Sequence, residues 1–409
     1  MPKYSAHCIY PVTSPPVPFG IIETDDHGSI LKIRDTGGKP VEEAGLEFHN
    51  GIIVPGFVNA HCHLELSHLK GLIPEASGLT DFVTSVTKLR NNSPDSIQLA
   101  IRNADQAMQS EGIIAVGDIS NTADTAEIKK TSPIRYHTFL EVFGLDPASS
   151  ETRFAQASLS SFFFNLSSLS PHAPYSVGKT LWQLLRDHPE LTRRISIHHA
   201  ESEEERELLE YGTGPMADAF RRLGFDLSQI PHNAADIFAL LNDYLPDSEV
   251  LLVHNLTADR RQQTADRRPQ TADRRQSSAV RGQRSAVCGL RSAVFFVLCP
   301  SSNHYIHRRL PDFAGFAQSG EIICLGTDSL ASNHRLSIIE EMRWVQEHAP
   351  GLSFDTILRW ATHNGALALG MEKEIGSLEP GKIPGLVSIR NFDVATGKLL
   401  PGSRARRLI

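Results

Sequence analysis

The chain of 409 residues has no apolar run long enough to cross a membrane, and its first residues lack the basic and then apolar pattern of a signal peptide. It has only five cysteines, an odd number, and they are widely scattered. This argues against a disulfide framework and predicts a reducing, cytoplasmic location. There is no excess of positive charge, because 40 basic residues are set against 47 acidic ones and the net charge is −7. Neither nucleic acid nor a membrane is therefore an expected partner.

What the sequence does contain is a series of apolar runs that end in polar, chemically capable residues. The apolar fraction of 40% and the charged fraction of 21% are those of an ordinary globular protein. Eight runs occur, and the fourth is expected over residues 162–166. They end at His61 and His63, Asp118, Glu141, His172, His198, His254, Cys299 with Pro300, and Asp328.

Helix-like sequence fills several of the intervals, for example residues 202–211, 338–348 and 354–370. Strand and helix alternating eight times predict an α/β protein with a (β/α)8 TIM barrel, whose chemistry lies at the carboxyl ends of its strands. The alternative is a doubly wound open sheet, which gives no reason for functional residues at every strand end.

The two ends of the chain differ from this pattern. Residues 1–50 and 371–409 alternate short β-like runs with turns. We expect them to pair as a small β-rich accessory domain built from both termini, which leaves residues 51–370 for the barrel. The apolar, β-branched run 51–54 is expected to lead directly into His61 as a buried strand.

Residues 257–294 form a repetitive insertion. Thr-Ala-Asp-Arg-Arg begins at Thr257 and recurs every seven residues, and Ser-Ala-Val follows with the same spacing from Ser278. A coiled coil is not expected, because the heptads lack paired apolar positions. The stretch is basic but has no interleaved aromatics for stacking on nucleic acid. We expect a solvated, disordered insertion in place of the helix after the sixth strand.

The pair His61 and His63 is the first sign of a functional site. Alternate residues of a strand share a face, so both imidazoles can bind one metal ion. Such a pair alone is weak evidence. Its significance comes from His198, His254 and Asp328, which end three other predicted strands.

Together with residues 170–175 (Ser-Pro-His-Ala-Pro-Tyr), these strand ends resemble the amidohydrolase superfamily, in its branch of deaminases and chlorohydrolases. The resemblance covers nearly the whole chain. It includes Pro-Gly-Phe-Val-Asn-Ala at 55–60, Ala-Thr-His-Asn-Gly-Ala at 361–366 and Gly-Ser-Leu-Glu-Pro-Gly-Lys at 376–382.

The resemblance implies a metal centre with four ligands: His61, His63, His198 and Asp328. Three imidazoles and a carboxylate suit one divalent ion, with Zn²⁺ expected and Fe²⁺ as the alternative. The fourth strand end carries His172 rather than a lysine that could be carboxylated, which favours one metal over a bridged pair.

The resemblance also implies a reaction that uses metal-activated hydroxide. Glu201 is expected to carry a proton from this water to the ring nitrogen and then to the leaving group. His254 is expected to hydrogen-bond the water or the developing oxyanion, and Asp328 could also accept a proton.

Three further residues are expected near the substrate. Glu65 either contacts the substrate or supports His63, and His172 is expected as a substrate contact rather than a ligand. Asn303 is expected to shape the pocket from its loop. The acidic residues 203–205 are expected to be the solvated first turn of a helix.

The chain therefore resembles an aminohydrolase acting on a carbon–nitrogen bond of a small heterocycle. The motifs look most like deaminases of modified adenosines, such as aminodeoxyfutalosine or S-adenosylhomocysteine. The alternatives are hydrolysis of another ring (cytosine, guanine, a chlorotriazine or a cyclic amide) and a non-catalytic scaffold of the same fold. A homo-oligomer is compatible with the sequence.

Overall fold

The computed structural model describes residues 1–258 and 293–409. Most of the predicted insertion at 257–294, and with it the expectation of disorder, lies outside the described residues. Its two ends are described. The Thr257 N–H donates to the Ala200 carbonyl at 2.9 Å, and Val294 is the first residue of a strand.

One sheet contains strands from both ends of the chain. Its seven strands are β1 (Lys3–Ile9), β2 (Val17–Pro18), β3 (Ile21–Thr24), β4 (Ile30–Arg34), β5 (Leu46–Pro55), β14 (Leu386–Asp393) and β15 (Lys398–Arg407). The order is β15-β14-β5-β1-β3-β4, with β2 on β1. The β1–β5 pair is parallel and the other pairs are antiparallel.

The expectation that residues 51–54 lead directly into His61 is wrong. These residues belong to β5 and pair with β1 and β14, so the strand that carries His61 starts only after Gly56. A Cβ atom at Gly56 would lie 2.8 Å from the Pro384 carbonyl oxygen and 2.5 Å from a methyl carbon of Ile114. The chain therefore leaves this seven-stranded sheet and enters the strand that carries His61 at a point where only glycine fits.

Two parallel four-stranded sheets hold the remaining strands. The first sheet, in order, is β6 (Phe57–Cys62), β7 (Ile113–Ser120), β8 (Arg135–Val142) and β9 (Ser167–Pro171). The second is β10 (Arg194–His199), β11 (Glu249–His254), β12 (Val294–Leu298) and β13 (Ile322–Leu325). Most of their residues are buried, as expected when both faces of a parallel sheet are covered.

The two parallel sheets meet at both of their outer strands. Between β13 and β6, the N–H groups of Thr327 and Asp328 donate to the His61 carbonyl at 3.0 and 3.1 Å. Between β9 and β10, the His198 N–H donates to the His172 carbonyl at 2.9 Å. The carboxyl ends of both sheets therefore face a common space.

Of the seven predicted strands after the first, all are confirmed except the fourth strand of the series. Its apolar run 162–166 is not a strand, and Phe162 and Phe163 are largely exposed. The strand is β9, whose sequence Ser-Ser-Leu-Ser-Pro has little apolar character. Two of its serines, Ser168 and Ser170, are buried, and their hydroxyls have backbone partners; for example, Ser168 Oγ donates to the Arg194 carbonyl at 2.6 Å.

Helices pack around the parallel strands and enclose a large apolar core. In the described part of the chain they are α1 (Leu79–Leu89), α2 (Pro94–Ser110), α3 (Ala126–Thr131), α4 (Pro147–Ser160), α5 (Lys179–Asp187), α6 (Glu203–Tyr211), α7 (Gly214–Arg222), α8 (Ile237–Tyr244), α9 (Pro300–His307), α10 (Phe313–Gln318), α11 (Ile338–His348), α12 (Phe354–Ala361) and α13 (His363–Ala368). The prediction for 338–348 is confirmed, and that for 354–370 is corrected to two helices separated at Thr362. None of the described helices is both long and apolar enough to span a membrane.

Candidate metal centre and active site

Three buried histidines and one buried aspartate converge where the two parallel sheets meet. His61 is the next-to-last residue of β6, His63 follows that strand, His198 lies near the end of β10, and Asp328 follows β13. His63 Nε2 lies 3.2 Å from His198 Nε2 and 3.5 Å from Asp328 Oδ1, and His61 Nε2 lies 3.8 Å from the same oxygen. The structure thus brings all four predicted ligands together.

His198 presents an unprotonated nitrogen to this space. His198 Nδ1 lies 2.9 Å from the His172 carbonyl, which can only accept, so Nδ1 carries the proton and the Nε2 lone pair faces inward. His61 Nδ1 lies 3.3 Å from Ser196 Oγ, and His61 Nε2 has no hydrogen-bond partner among the described residues. Burial lowers the pKa of His198 to about 4 and lowers that of His61 well below its usual value. Neutral imidazoles with inward lone pairs suit a divalent cation.

Asp328 is held so that one oxygen remains for the cluster. Its Oδ2 accepts hydrogen bonds from Ser302 Oγ and Ser332 Oγ, both at 2.6 Å, while Oδ1 faces His61 and His63. Burial by itself raises the pKa of Asp328, but the neighbouring histidines and the two hydroxyls lower it to about 2. The carboxylate is therefore ionised. The two serines were not identified from the sequence.

Glu201 and His254 lie next to this cluster. Glu201 Oε1 lies 3.7 Å from His254 Nε2, and both side chains are almost completely buried. Burial raises the pKa of Glu201 to about 7, so both of its protonation states are accessible near neutral pH. The ligand atoms of His254, His61 and His198 all lie within 4.8 Å of one another.

Asn303 contacts His254. His254 Nδ1 lies 2.9 Å from Asn303 Oδ1, so the imidazole donates there and its Nε2 lone pair faces Glu201. That Nε2 atom has no partner in the part of the chain that the structure describes. Asn303 was predicted to shape the pocket from a loop as a substrate contact, but it lies within the helix α9. Its contacts support a role in orienting His254.

Glu65 is occupied by protein groups. Its Oε2 accepts from the N–H of Asn121 and from the N–H and hydroxyl of Thr122, at 3.0 to 3.1 Å, and its Oε1 lies 3.1 Å from Arg90 Nη2. The two roles predicted for Glu65 were contact with substrate and support of His63. These contacts favour support, because they tie the residues directly after His63 to those that follow β7.

His172 lies at the edge of the cluster. Its ring centroid is 4.8 Å from that of His198, and its Nδ1 lies 2.7 Å from Ser176 Oγ. The side chain is partly exposed, unlike the predicted ligands. This position is compatible with the predicted contact to substrate.

Glu141 also reaches the cluster, although it was not among the predicted site residues. One of its oxygens and a nitrogen from each of His63 and His198 lie within 4.8 Å of one another. Its Oε2 accepts from Asn121 Nδ2 at 2.9 Å, while Oε1 is buried without a partner among the described residues. The available signal was its place at the end of a strand, since Glu141 is the next-to-last residue of β8.

The comparisons with known proteins agree on one family. The family model described as the amidohydrolase family matches residues 52–398. An adenosine deaminase of Helicobacter pylori is 28% identical over 354 residues, which cover 82% of this chain and 78% of that protein.

Two solved structures show the same fold. The aminofutalosine deaminase of Helicobacter pylori, in complex with methylthio-coformycin, gives a TM-score of 0.76 at 23% identity and covers 100% of both chains. An adenosine deaminase from Xanthomonas campestris with bound zinc gives a TM-score of 0.70 at 21% identity and covers 97% of this chain and 86% of that one.

Proposed function

The chain belongs to the amidohydrolase family, and on that premise we propose that it catalyses the metal-dependent hydrolytic deamination of a small nitrogen heterocycle. The observation that carries the proposal is the convergence of the predicted ligand atoms with Glu201 and His254 in one buried space. A non-catalytic scaffold would have no need to bury these groups together, because burying unpaired polar atoms costs stability.

We propose that His61, His63, His198 and Asp328 hold one divalent ion, with Zn²⁺ preferred. The unpartnered Nε2 of His61 and the close approach of His63 Nε2 to the inward-facing lone pair of His198 Nε2 support a cation between them. Three imidazoles and a carboxylate suit zinc, and the Xanthomonas campestris relative contains zinc. A bound divalent ion supplies hydroxide at neutral pH, because it lowers the pKa of a water molecule from 15.7 to about 7.

Glu201 moves the protons in this proposal. As a carboxylate it accepts a proton from the attacking water, and as a carboxylic acid it donates that proton to the ring nitrogen. It then accepts the second proton, from the hydroxyl now bound to the carbon, and donates it to the departing amine. A pKa of about 7 suits both tasks. His254 is proposed to accept a hydrogen bond from the attacking water at Nε2, while its Nδ1–H donates to Asn303. This bond would orient the water toward the reacting carbon.

We propose a modified adenosine as the substrate, of the kind represented by aminodeoxyfutalosine or S-adenosylhomocysteine. Two relatives are named as adenosine and aminofutalosine deaminases, and one of them binds methylthio-coformycin. In the reaction, water adds to the purine carbon that bears the amine, the carbon–nitrogen bond breaks, and ammonia leaves. His172, at the open edge of the cluster, is proposed to contact this substrate.

We also propose that the eight parallel strands close into a (β/α)8 barrel and that the seven-stranded sheet is an accessory domain. The contacts at both outer strands of the parallel sheets support closure. A cytoplasmic location is supported by the four cysteines in the described residues, which are all free and buried. An assembly of identical chains stays a prediction.

The test is ammonia release by the purified protein from a panel of aminodeoxyfutalosine, S-adenosylhomocysteine, adenosine, cytosine and guanine. The proposal expects turnover of an adenosine derivative with the highest kcat/KM of the panel. Turnover of cytosine or guanine alone would contradict the proposed substrate and would still support hydrolytic deamination as the reaction. If metal is bound and no member of the panel releases ammonia, the deaminase proposal is wrong.

A further inference from the structure

Glu205 departs from the sequence expectation for its helix turn. The acidic residues 203–205 were expected to be solvated, and Glu203 does lie at the surface, where it pairs with Arg206. Glu204 accepts from the Thr80 N–H at 2.9 Å at the start of α1. Glu205, in contrast, is only 2% exposed. A buried carboxylate needs partners, and those of Glu205 lie in the segment that carries Glu201.

Both oxygens of Glu205 accept backbone N–H groups that precede α6. Oε2 accepts from the Glu201 N–H at 2.7 Å, and Oε1 accepts from the Ala200 N–H at 3.3 Å. Ala200 has φ +50°, in the left-handed region that a residue with a side chain adopts only when its surroundings hold it there. The carboxylate of Glu205 thus holds a turn that is unfavourable by itself.

This arrangement extends beyond the ordinary cap of a helix. Ser202 and Glu205 have the spacing of a capping box, and Ser202 Oγ accepts from the Glu205 N–H at 3.0 Å. In a capping box the acidic side chain returns to the N–H of the capping residue itself, here Ser202. Glu205 interacts with the Ser202 N–H as well, but its hydrogen bonds at 2.7 and 3.3 Å go to the N–H groups of the two residues before Ser202. Its bonds therefore hold the segment around Glu201 more than the helix.

The same segment is held from its other side by residues that follow β11. The Thr257 N–H and hydroxyl donate to the Ala200 carbonyl at 2.9 and 3.1 Å, and the Asn255 N–H donates to the His199 carbonyl at 3.0 Å. With one side fixed in this way, the bonds from Glu205 determine where the backbone of Glu201 lies.

We propose that Glu205 is a positioning residue for the deamination: by holding the Glu201 N–H it keeps the Glu201 carboxyl directed toward His254 Nε2. This rests on the proposed function, because it assigns Glu205 a task only if Glu201 transfers protons. Burying this acid is costly, since burial raises the pKa of Glu205 to about 8.

The experiment compares Glu205→Ala and Glu205→Gln with Glu204→Gln, a matched control on the same turn. Glu205→Ala is expected to lower kcat about 10- to 100-fold with KM changed less than about threefold, because a misplaced catalytic group slows the reaction without weakening substrate binding. Glu205→Gln is expected to lie between wild type and Ala, since its amide oxygen can accept one of the two N–H groups. Glu204→Gln is expected to stay within about twofold of wild type.

Two further measurements separate positioning from stability. Adding Glu205→Ala to Glu201→Gln is expected to cause no further loss of kcat, because a positioning residue has nothing left to position. Hydrogen exchange of the peptide covering residues 199–202 is expected to accelerate in Glu205→Ala and not in Glu204→Gln. Metal content is expected to equal that of wild type in every variant.

The proposal is overturned by an unchanged kcat in Glu205→Ala, by equal losses in Glu204→Gln, or by additive losses in the double variant. If the wild-type protein releases no ammonia, the proposed function has failed. Hydrogen exchange then still tests whether Glu205 holds the segment around Glu201. Unchanged exchange at 199–202 in Glu205→Ala would show that it does not.

Discussion

Replacement of Lys129 by methionine is expected to destabilise the protein through a buried ion pair behind the metal site. Lys129 Nζ on α3 lies 2.6 Å from Asp118 Oδ2 on β7, and the two side chains are 5% and 0% exposed. The other oxygen of Asp118 accepts from the Leu64 N–H at 2.7 Å. Leu64 directly follows His63, so this ion pair supports the strand end that carries two of the proposed ligands.

Lys129→Met keeps the length of the side chain and removes the charge, which leaves the Asp118 carboxylate buried without its cation. Removing one partner of a buried pair costs about 3–5 kcal/mol. Unfolding entropy is about 2.1 cal/mol/K per residue, which amounts to about 0.9 kcal/mol/K for a chain of 409 residues. We therefore expect Tm to fall by about 3–6 °C.

The assay is thermal unfolding of Lys129→Met, Asp118→Asn and the double variant. The double variant is expected to be more stable than Lys129→Met alone, because it no longer buries an uncompensated charge. The control is Lys130→Met on the same helix, since Lys130 pairs with Glu127 at the surface, and we expect its free energy of unfolding to change by less than about 0.5 kcal/mol. A loss below about 1 kcal/mol in Lys129→Met, or strictly additive effects, would refute this reasoning.

Three other predictions concern the site and its surroundings. Asn303→Leu frees the His254 ring, so kcat/KM is expected to fall about 10- to 100-fold while the metal content measured by emission spectrometry stays at the wild-type value. Burial raises the pKa of Glu341 from 4.5 to about 8, so the folded state keeps a proton that the unfolded state releases between these values. The free energy of unfolding should therefore fall as pH rises through this window, by at most about 1.4 kcal/mol per pH unit, and denaturant titrations of Glu341→Gln should show a shallower slope. Chelation is expected to abolish ammonia release and lower Tm in calorimetry, and added Zn²⁺ should restore both, since an ion that binds only the folded state stabilises it.

The strand ends were the part of the site that the sequence could predict. The carboxyl ends of parallel strands meet at one edge of a sheet, so residues that end different strands come together without knowledge of the packing. The spacing of His61 and His63 is informative for the same reason, because it depends only on the geometry of one strand. His198, His254 and Asp328 follow this rule, although they are far apart along the chain.

The residues that hold the site could not be predicted in this way. Ser302 reaches the Oδ2 of Asp328 from α9, which is distant in sequence, and Ser332 reaches the same oxygen through a turn of the loop after β13. Glu205 belongs to an acidic run that is typical of a solvated helix turn. Its burial could not be predicted, because it depends on the conformation of the turn at Ala200. The run 162–166 was misjudged because apolar character alone does not distinguish a strand from exposed phenylalanines.

The most direct test of the account is ammonia release by wild type and Glu201→Gln on the best substrate of the panel, with the metal content of both proteins measured in the same samples. The account predicts one equivalent of divalent metal in both proteins, turnover by the wild type, and a loss of at least about 10²-fold in Glu201→Gln. Similar turnover by both metal-loaded proteins would contradict the role of Glu201, and turnover by a metal-free wild type would contradict the metal centre.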